Sequence, residues 1–410
     1  MRRAATLLAL SLLLAACGDE AAAPADPLDG LELVEADPTD LPLRGLSATW
    51  RARFHEGDEF FEKVFRAPEG LGPLYIRQAC ASCHLDDARG PGKVTKMVVV
   101  EADGFTTAAD QSLLPWGHTE RAQLAAGATV PIRAPADPHV KVTTRTGPAV
   151  FGRGYLEAIA DEEIERVEAE QAQRDDGISG RIHRVRFQSA DNPDARFHGH
   201  RAGDDGLVGR FGLKARIATL DDFAADAFQG DMGLTSPMRP EEPANPEGLE
   251  DDALPGLDLS LDAVNLAADY VRLLAIPRRE KPDAAGVRLF AEARCDVCHV
   301  PSLRTRADYP VEPLAGIDAP VYTDLLLHDM GSDLADGLPD GDATGSEWRT
   351  APLLGIRHLR SYLHDGRART VEEAILLHEG PGSEANDSID RFRRLRDDDR
   401  AALVRFVESL

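Results

Sequence analysis

Four of the five cysteines stand in two frames of the same shape, Cys80-Ala81-Ser82-Cys83-His84 and Cys295-Asp296-Val297-Cys298-His299. Both read C-x-x-C-H, the attachment pattern of a c-type haem. The spacing has a chemical reason. Two thiols three residues apart on a helical turn each reach one vinyl group of the porphyrin and form a thioether. The next residue then sets its imidazole under the iron. Other chemistries fit less well. Structural zinc sites usually gather four ligands close in sequence, whereas these pairs lie 215 residues apart. A thioredoxin-type pair calls for a βαβ context, and the sequence offers none. Structural disulfides suit exported chains, but this spacing is poor for one and leaves each following histidine idle. The sequence therefore predicts two covalent haem c groups, attached at Cys80, Cys83, Cys295 and Cys298, with His84 and His299 as proximal iron ligands.

These motifs need helices to hold them. GVRLFAEARC reads as a helix that ends at the second motif. The terminal run LRDDDRAALVRFVESL puts Leu403, Phe406, Val407 and Leu410 on one face. Asp397 to Asp399 stand at its start, where the macrodipole favours acids. Two helices bracketing a haem motif is the cytochrome c plan. Before the first motif, GDEFFEKVF reads as a helix, followed by the loop RAPEGLGPLY. Between the motifs, KMVVVEADG, HVKVTTRTG and GRIHRVRFQ read as short strands. EEIERVEAEQAQRDDG and TLDDFAADAFQGDMG read as helices. The expected fold is mainly α: two cytochrome c-like haem domains, the first elaborated with short β-strands and long loops. The first domain spans 41–238, a Pro- and acid-rich linker spans 239–256, and the second spans 257–410, opening with the amphipathic helix DAVNLAADYVRLLAIP.

Composition narrows the function. The 410 residues are 43% hydrophobic and 6% aromatic, enough for cores but thin for a large all-β protein. Lys and Arg number 46 against 71 Asp and Glu, a formal charge of −25. That excludes a nucleic-acid binder, which needs a basic footprint, and argues against an anionic membrane surface. It suits a basic macromolecular partner. At the N-terminus, Arg2 and Arg3 precede the apolar run Leu7 to Leu14, too short to span a bilayer. Leu14-Ala15-Ala16-Cys17 resembles a bacterial lipobox. The resemblance implies a signal peptide over 1–16, lipidation of Cys17, a flexible tether over 17–40 and a lipid anchor on the periplasmic side of a membrane. Gly18 in place of an aspartate implies the outer membrane.

Six segments carry a resemblance to a known family: EGLGPLYIRQACASCH, RTGPAVFGRGYLEAI, FQGDMGLTSP, CDVCHVPSLRTRADYP, YTDLLLHDMG and EWRTAPLLGIRHLRSYLHDGRARTVEEAI. The chain resembles the di-haem c-type oxidoreductases known as thiol-oxidoreductase-like proteins. That family is distantly similar to bacterial di-haem cytochrome c peroxidases and to MauG enzymes. The peroxidases carry an H-D-G pattern followed by a helix, and a methionine fourteen residues after that histidine ligates the C-terminal haem. Here the pattern is His364-Asp365-Gly366, and fourteen residues on stands His378. The resemblance therefore implies His378 as the sixth ligand of the second haem, with Met330 as runner-up. A His/His iron usually has a lower potential than a His/Met one.

The relatives also hold a removable distal histidine over the first haem. Met97, His118 and His139 follow the first motif; Met97 reads as core, His139 follows a turn, and His118 is the expected ligand, with an open site as the alternative. Trp116 stands beside it as a packed loop aromatic or an electron relay. His198 and His200 have metal-binding spacing but read better as an exposed strand. Thr350 and Pro352 match a Thr-x-Pro whose carbonyls contact calcium in the relatives, so calcium is a further cofactor to test. The functional expectation is an oxidoreductase that passes electrons from a soluble, basic electron-transfer protein through both haems to a small-molecule substrate such as peroxide. The alternative is a non-catalytic electron carrier with two six-coordinate irons. Thiol exchange is disfavoured because no cysteine is spare.

Overall fold

The computed structural model describes residues 39–88, 92–104, 106–125, 127–249, 253–279 and 283–410. The signal segment, Cys17 and most of the tether lie outside the described residues. The helices are α1 (Ala48–Glu62), α2 (Arg153–Ala158), α3 (Asp161–Gln171), α4 (Leu220–Ala227), α5 (Leu261–Leu273), α6 (Ala284–Glu292), α7 (Gly331–Leu334), α8 (Val371–Leu376), α9 (Asn386–Arg394) and α10 (Asp397–Glu408). Local sequence sets their starts. Ser47, Ser260 and Asp283 cap α1, α5 and α6 by accepting hydrogen bonds from backbone N–H groups of the first turn. Three aspartates open α10. Among the described residues no helix is long and apolar enough to cross a membrane.

The strands form antiparallel pairs rather than one sheet. They are β1 (Leu74–Tyr75) with β3 (Gln123–Leu124), β2 (Lys93–Val99) with β4 (Val140–Thr146), β5 (Arg184–Val185) with β6 (Leu207–Val208), β7 (Leu303–Arg304) with β8 (Asp318–Ala319), and β9 (Leu327–Asp329) with β10 (Glu347–Arg349). β2 and β4 run the lengths their β-branched sequences suggest, with Met97 opposite Val142. GRIHRVRFQ keeps only Arg184 and Val185 in a ladder with Leu207 and Val208; further on, the Phe187 N–H donates to the Asp204 carbonyl at 2.8 Å.

The packing of α5 departs from the expected domain boundary. The stretch 239–256 was expected to separate two domains, with α5 opening the second. Instead α5 crosses α1. Arg53 of α1 pairs with Asp262 and Asp269 of α5, and the Phe54 and Phe61 rings lie against Tyr270. The crossing is close: a Cβ on Gly57 would lie 2.7 Å from the Tyr270 Cβ. The helix before the second motif repeats this arrangement. A Cβ on Gly286 of α6 would lie 2.4 Å from the Phe406 Cβ of α10. Each motif is thus preceded by a helix crossed at a glycine by a later helix. For the first motif that later helix lies beyond the acidic stretch. Residues 36–410 form one compact unit, in which helices with short strands are what the mainly α expectation becomes.

Candidate functional site

The two motifs line two separate cavities. The first is faced by Cys80, Cys83 and His84 together with side chains of α4, the turn 228–232 and α5. The second, the larger of the two, is faced by Cys295, Cys298 and His299, with α8, α9 and α10. Both walls are mainly apolar, as cofactor sites usually are. All four cysteines are free thiols. Burial pushes Cys80 and Cys295 up to about 12 and Cys83 up to about 11, so these sulfurs stay protonated rather than acting as thiolates.

In the second cavity the imidazoles are oriented as metal ligands are. His299 Nδ1 bonds the Tyr322 carbonyl at 3.1 Å, and His378 Nδ1 bonds the Ala374 carbonyl at 2.7 Å. Each ring therefore keeps Nε2 for the cavity; the other nitrogen fixes tautomer and direction. Burial and the neighbouring His378 pull His299 down to about 4, so both rings face one space as neutral bases. Met330 lines the same cavity.

Two further histidines of this cavity have other employment. His328 bonds Asp324 through Nε2 at 2.9 Å and Glu384 through Nδ1 at 2.7 Å. Burial works against its charge, yet Cys298 and Asp324 hold its pKa well above the ordinary value. Both nitrogens are occupied, so its approach to Cys298 and Asp324 makes no metal site. His364 stacks on Trp348 with ring centroids 4.0 Å apart, and its buried Nε2 makes no hydrogen bond, with the Asp365 carboxylate 4.0 Å away. Lys214 Nζ lies 3.8 Å over the Trp348 ring, and burial pulls that lysine down to about 7.

The first cavity is built differently. His84 is its single imidazole. Its Nδ1 is buried without a hydrogen bond, and a Cβ on Gly147 would lie 3.0 Å from the ring's Cε1. None of the expected distal candidates reaches this space. His118 is exposed and bonds the Met97 carbonyl at 3.1 Å. The strand β2 carries Met97 into a separate apolar cluster with Leu74, Leu114 and Ile132. His139 is exposed beside Asp137, and Trp116 is an exposed loop residue. The expectation for His118 is corrected: the loop after the motif is drawn away by pairing of its flanks with β2. What the cavity does hold is Asp231, the single carboxylic acid in its lining. Asp231 lies in a π-helical turn, Phe228–Met232, a feature frequent at functional sites. Burial raises its pKa above the ordinary carboxylate value.

Two secondary expectations also change. His198 is not on an exposed strand: its buried Nε2 bonds Asp221 at 2.9 Å, and His200 stacks on it. The Thr350 carbonyl is already taken by the Thr323 hydroxyl at 2.7 Å and by the Arg349 guanidinium at 2.9 Å. A cation placed there would meet a cation, so these residues do not fit calcium.

The residues do fit haem: free thiols, an orphaned or backbone-tethered histidine and an apolar cavity recur at both motifs. A family model described as "Di-haem oxidoreductase, putative peroxidase" matches residues 135–410, including the second motif. The chain belongs to this family. No curated protein matches it. Among solved structures the chain is similar to Kuenenia stuttgartiensis hydrazine synthase pressurised with 20 bar xenon, at 13% identity over 100% of this chain and 99% of that one, with a TM-score of 0.37. That likeness is too low to carry any argument. In this di-haem oxidoreductase, sequence reasoning missed Asp231 and Arg349. Both lay in segments that carried the family resemblance, FQGDMG and EWRT, but nothing in their spacing singled them out.

Proposed function

We propose that the chain is an exported di-haem c peroxidase, reducing hydrogen peroxide to water at the first cavity with electrons delivered through the second. The observation that carries this reading is the contrast between the cavities. The second is lined by two imidazoles, each with Nδ1 bonded to a carbonyl, which suits a closed, six-coordinate electron-transfer iron. The first offers one imidazole and one half-buried acid, which suits an iron open to substrate.

When bound, haem iron supplies one-electron storage and the activation of peroxide. The chain supplies the rest. Cys80 and Cys83, and Cys295 and Cys298, would tether the two groups as thioethers. His84 and His299 would each ligate an iron, and His378 would be a further ligand for the second. Asp231 is the proton donor: its burial favours the neutral acid, and one peroxide takes two electrons and two protons to give two waters. The apolar walls exclude bulk water from both sites. A soluble, basic electron carrier suits the acidic surface. Lipidation at Cys17 would anchor the chain on the periplasmic face of the outer membrane; a Cys17→Ala chain is expected to leave the membrane fraction.

The test uses haem-loaded protein, as isolated and half-reduced, followed by EPR and visible spectra with hydrogen peroxide. A high-spin signal from one haem, altered by peroxide, together with peroxide consumption driven by a reduced carrier, supports the reading. Two low-spin haems indifferent to peroxide in every redox state make the chain an electron carrier instead.

A further inference from the structure

Arg349 is the one residue that lines both cavities. It ends β10, and the wall it shares is the segment Gly212–Leu213, of which Gly212 faces the first cavity and Leu213 the second. Its backbone N–H donates to the Leu213 carbonyl at 3.0 Å. Its Nε donates to the Gly212 carbonyl at 3.1 Å, and one terminal nitrogen donates to the Thr350 carbonyl at 2.9 Å. These bonds fix the guanidinium plane across the wall and leave the other terminal nitrogen uncommitted.

Arg349 is 7% exposed, and its side-chain hydrogen bonds go to carbonyls rather than to a carboxylate. The acid that favours its charge is Asp324, which is hydrogen-bonded to His328 instead. Two other arginines that line these cavities differ: Arg210 pairs with Asp161, and Arg294 pairs with Asp176 and Asp387. Burial pulls Arg349 down to about 10, which leaves it cationic near neutral pH. A buried cation kept without a partner is costly. Its position answers that cost if the counterion arrives with a cofactor, and each haem brings two propionate carboxylates. A guanidinium fork is the side chain best matched to carboxylates in two directions.

We infer that Arg349 is a shared propionate clamp, its guanidinium facing the carboxylates of both haems and coupling their redox properties. This rests on the reading that each cavity takes a haem. A cation beside a haem disfavours the ferric state, so removing it lowers the potential. Arg349→Gln is expected to lower the midpoint potential of both haems, each by about tenfold in the ferrous-to-ferric ratio at fixed potential, or about 59 mV for a one-electron couple. Arg349→Lys keeps the charge without the fork and is expected to give a smaller fall in both, with altered propionate bending modes in resonance Raman and unchanged iron ligation by EPR.

The experiment is a spectroelectrochemical titration of the wild type and both variants, with haem counted by pyridine haemochrome. Two haems per chain in the wild type tests the underlying reading separately; fewer overturns that reading and the clamp with it. With two haems present, a fall confined to one haem overturns the bridge, and no fall in either overturns the clamp. If Arg349→Gln does not load haem, Arg349→Lys decides: unaltered potentials and unaltered propionate modes overturn the inference.

Discussion

Tyr322 holds a φ of +48° while presenting its carbonyl to His299 Nδ1 at 3.1 Å. A bulky residue in the left-handed region costs on the order of 1–3 kcal/mol and persists only where the surroundings over-determine it. Here they do. The Tyr322 ring packs edge-on against Phe290 of α6 and Phe406 of α10, each with centroids 6.1 Å apart. The same aromatic cluster that closes the α6–α10 crossing thus aims the His299 imidazole.

That dependence gives the first prediction. In Gly286→Ala the new methyl would lie 2.4 Å from the Phe406 Cβ and 2.5 Å from the Ala402 carbonyl oxygen. Helix propensity gains about 1 kcal/mol, but overpacking against backbone costs about 1–3 kcal/mol and the aromatic cluster must also shift. The expected net result is a lower urea midpoint and a perturbed second-haem spectrum, with the first haem unchanged. Gly57→Ala is expected to do the reverse, because its clash lies with Tyr270 of α5.

A second prediction concerns pH. Burial lifts Asp87 to about 8, against a hydrogen bond donated by the Tyr270 hydroxyl at 2.8 Å. The folded state therefore holds a proton that the unfolded chain releases near pH 4. Stability from this group is complete below about pH 4 and falls as pH climbs toward 8, by up to about 1.4 kcal/mol per pH unit. Urea unfolding from pH 5 to 8 should show that slope, and Asp87→Asn should flatten it. An unchanged slope would assign the effect elsewhere.

The chemistry was more legible in the sequence than the architecture. The C-x-x-C-H frames stand out because five consecutive positions would carry all the attachment chemistry, and each frame lines a cavity. His378 was reachable only through the resemblance, by counting from His364; it lines the same cavity as His299. The partner of α1 was not legible, since α5 lies beyond an acidic, Pro-rich stretch that reads as a boundary; the close fit at Gly57 and Tyr270 is a three-dimensional fact. His118 was misjudged because proximity in sequence to Cys83 says nothing about where β2 carries the loop. Asp231 and Arg349 carry no local signature, because a buried charge is informative only once its surroundings are known.

The third prediction tests the proton donor. Asp231→Asn keeps the shape of the side chain and removes the acid. Loss of a positioned general acid costs about 10²–10⁴-fold. Peroxide turnover should fall by that factor with haem content and both potentials intact. In the wild type, turnover needs the neutral acid, so it should decline as pH rises through the elevated pKa of Asp231, and that limb should vanish in Asp231→Asn. A variant with full turnover and the same pH limb would remove Asp231 from the mechanism.

The last prediction decides how the second iron is held. His378, Met330 and His364 all face its cavity. His364 is held flat on Trp348. Met330 sits at the start of α7, where its backbone N–H donates to the Ser346 carbonyl at 3.1 Å. His378 alone among them repeats the tether of His299, an Nδ1 bond to a carbonyl that leaves Nε2 free. His378→Met should keep a six-coordinate iron but raise its potential, because a thioether ligand favours the ferrous state; a rise of at least tenfold in the ferrous-to-ferric ratio, about 59 mV, is expected. His378→Ala should convert that haem to high spin. Met330→Ala and His364→Ala should leave its spin state unchanged. If instead Met330→Ala produces the high-spin signal and His378→Ala does not, the methionine is the ligand, and the second haem is a high-potential centre rather than the low-potential one that two imidazoles would make.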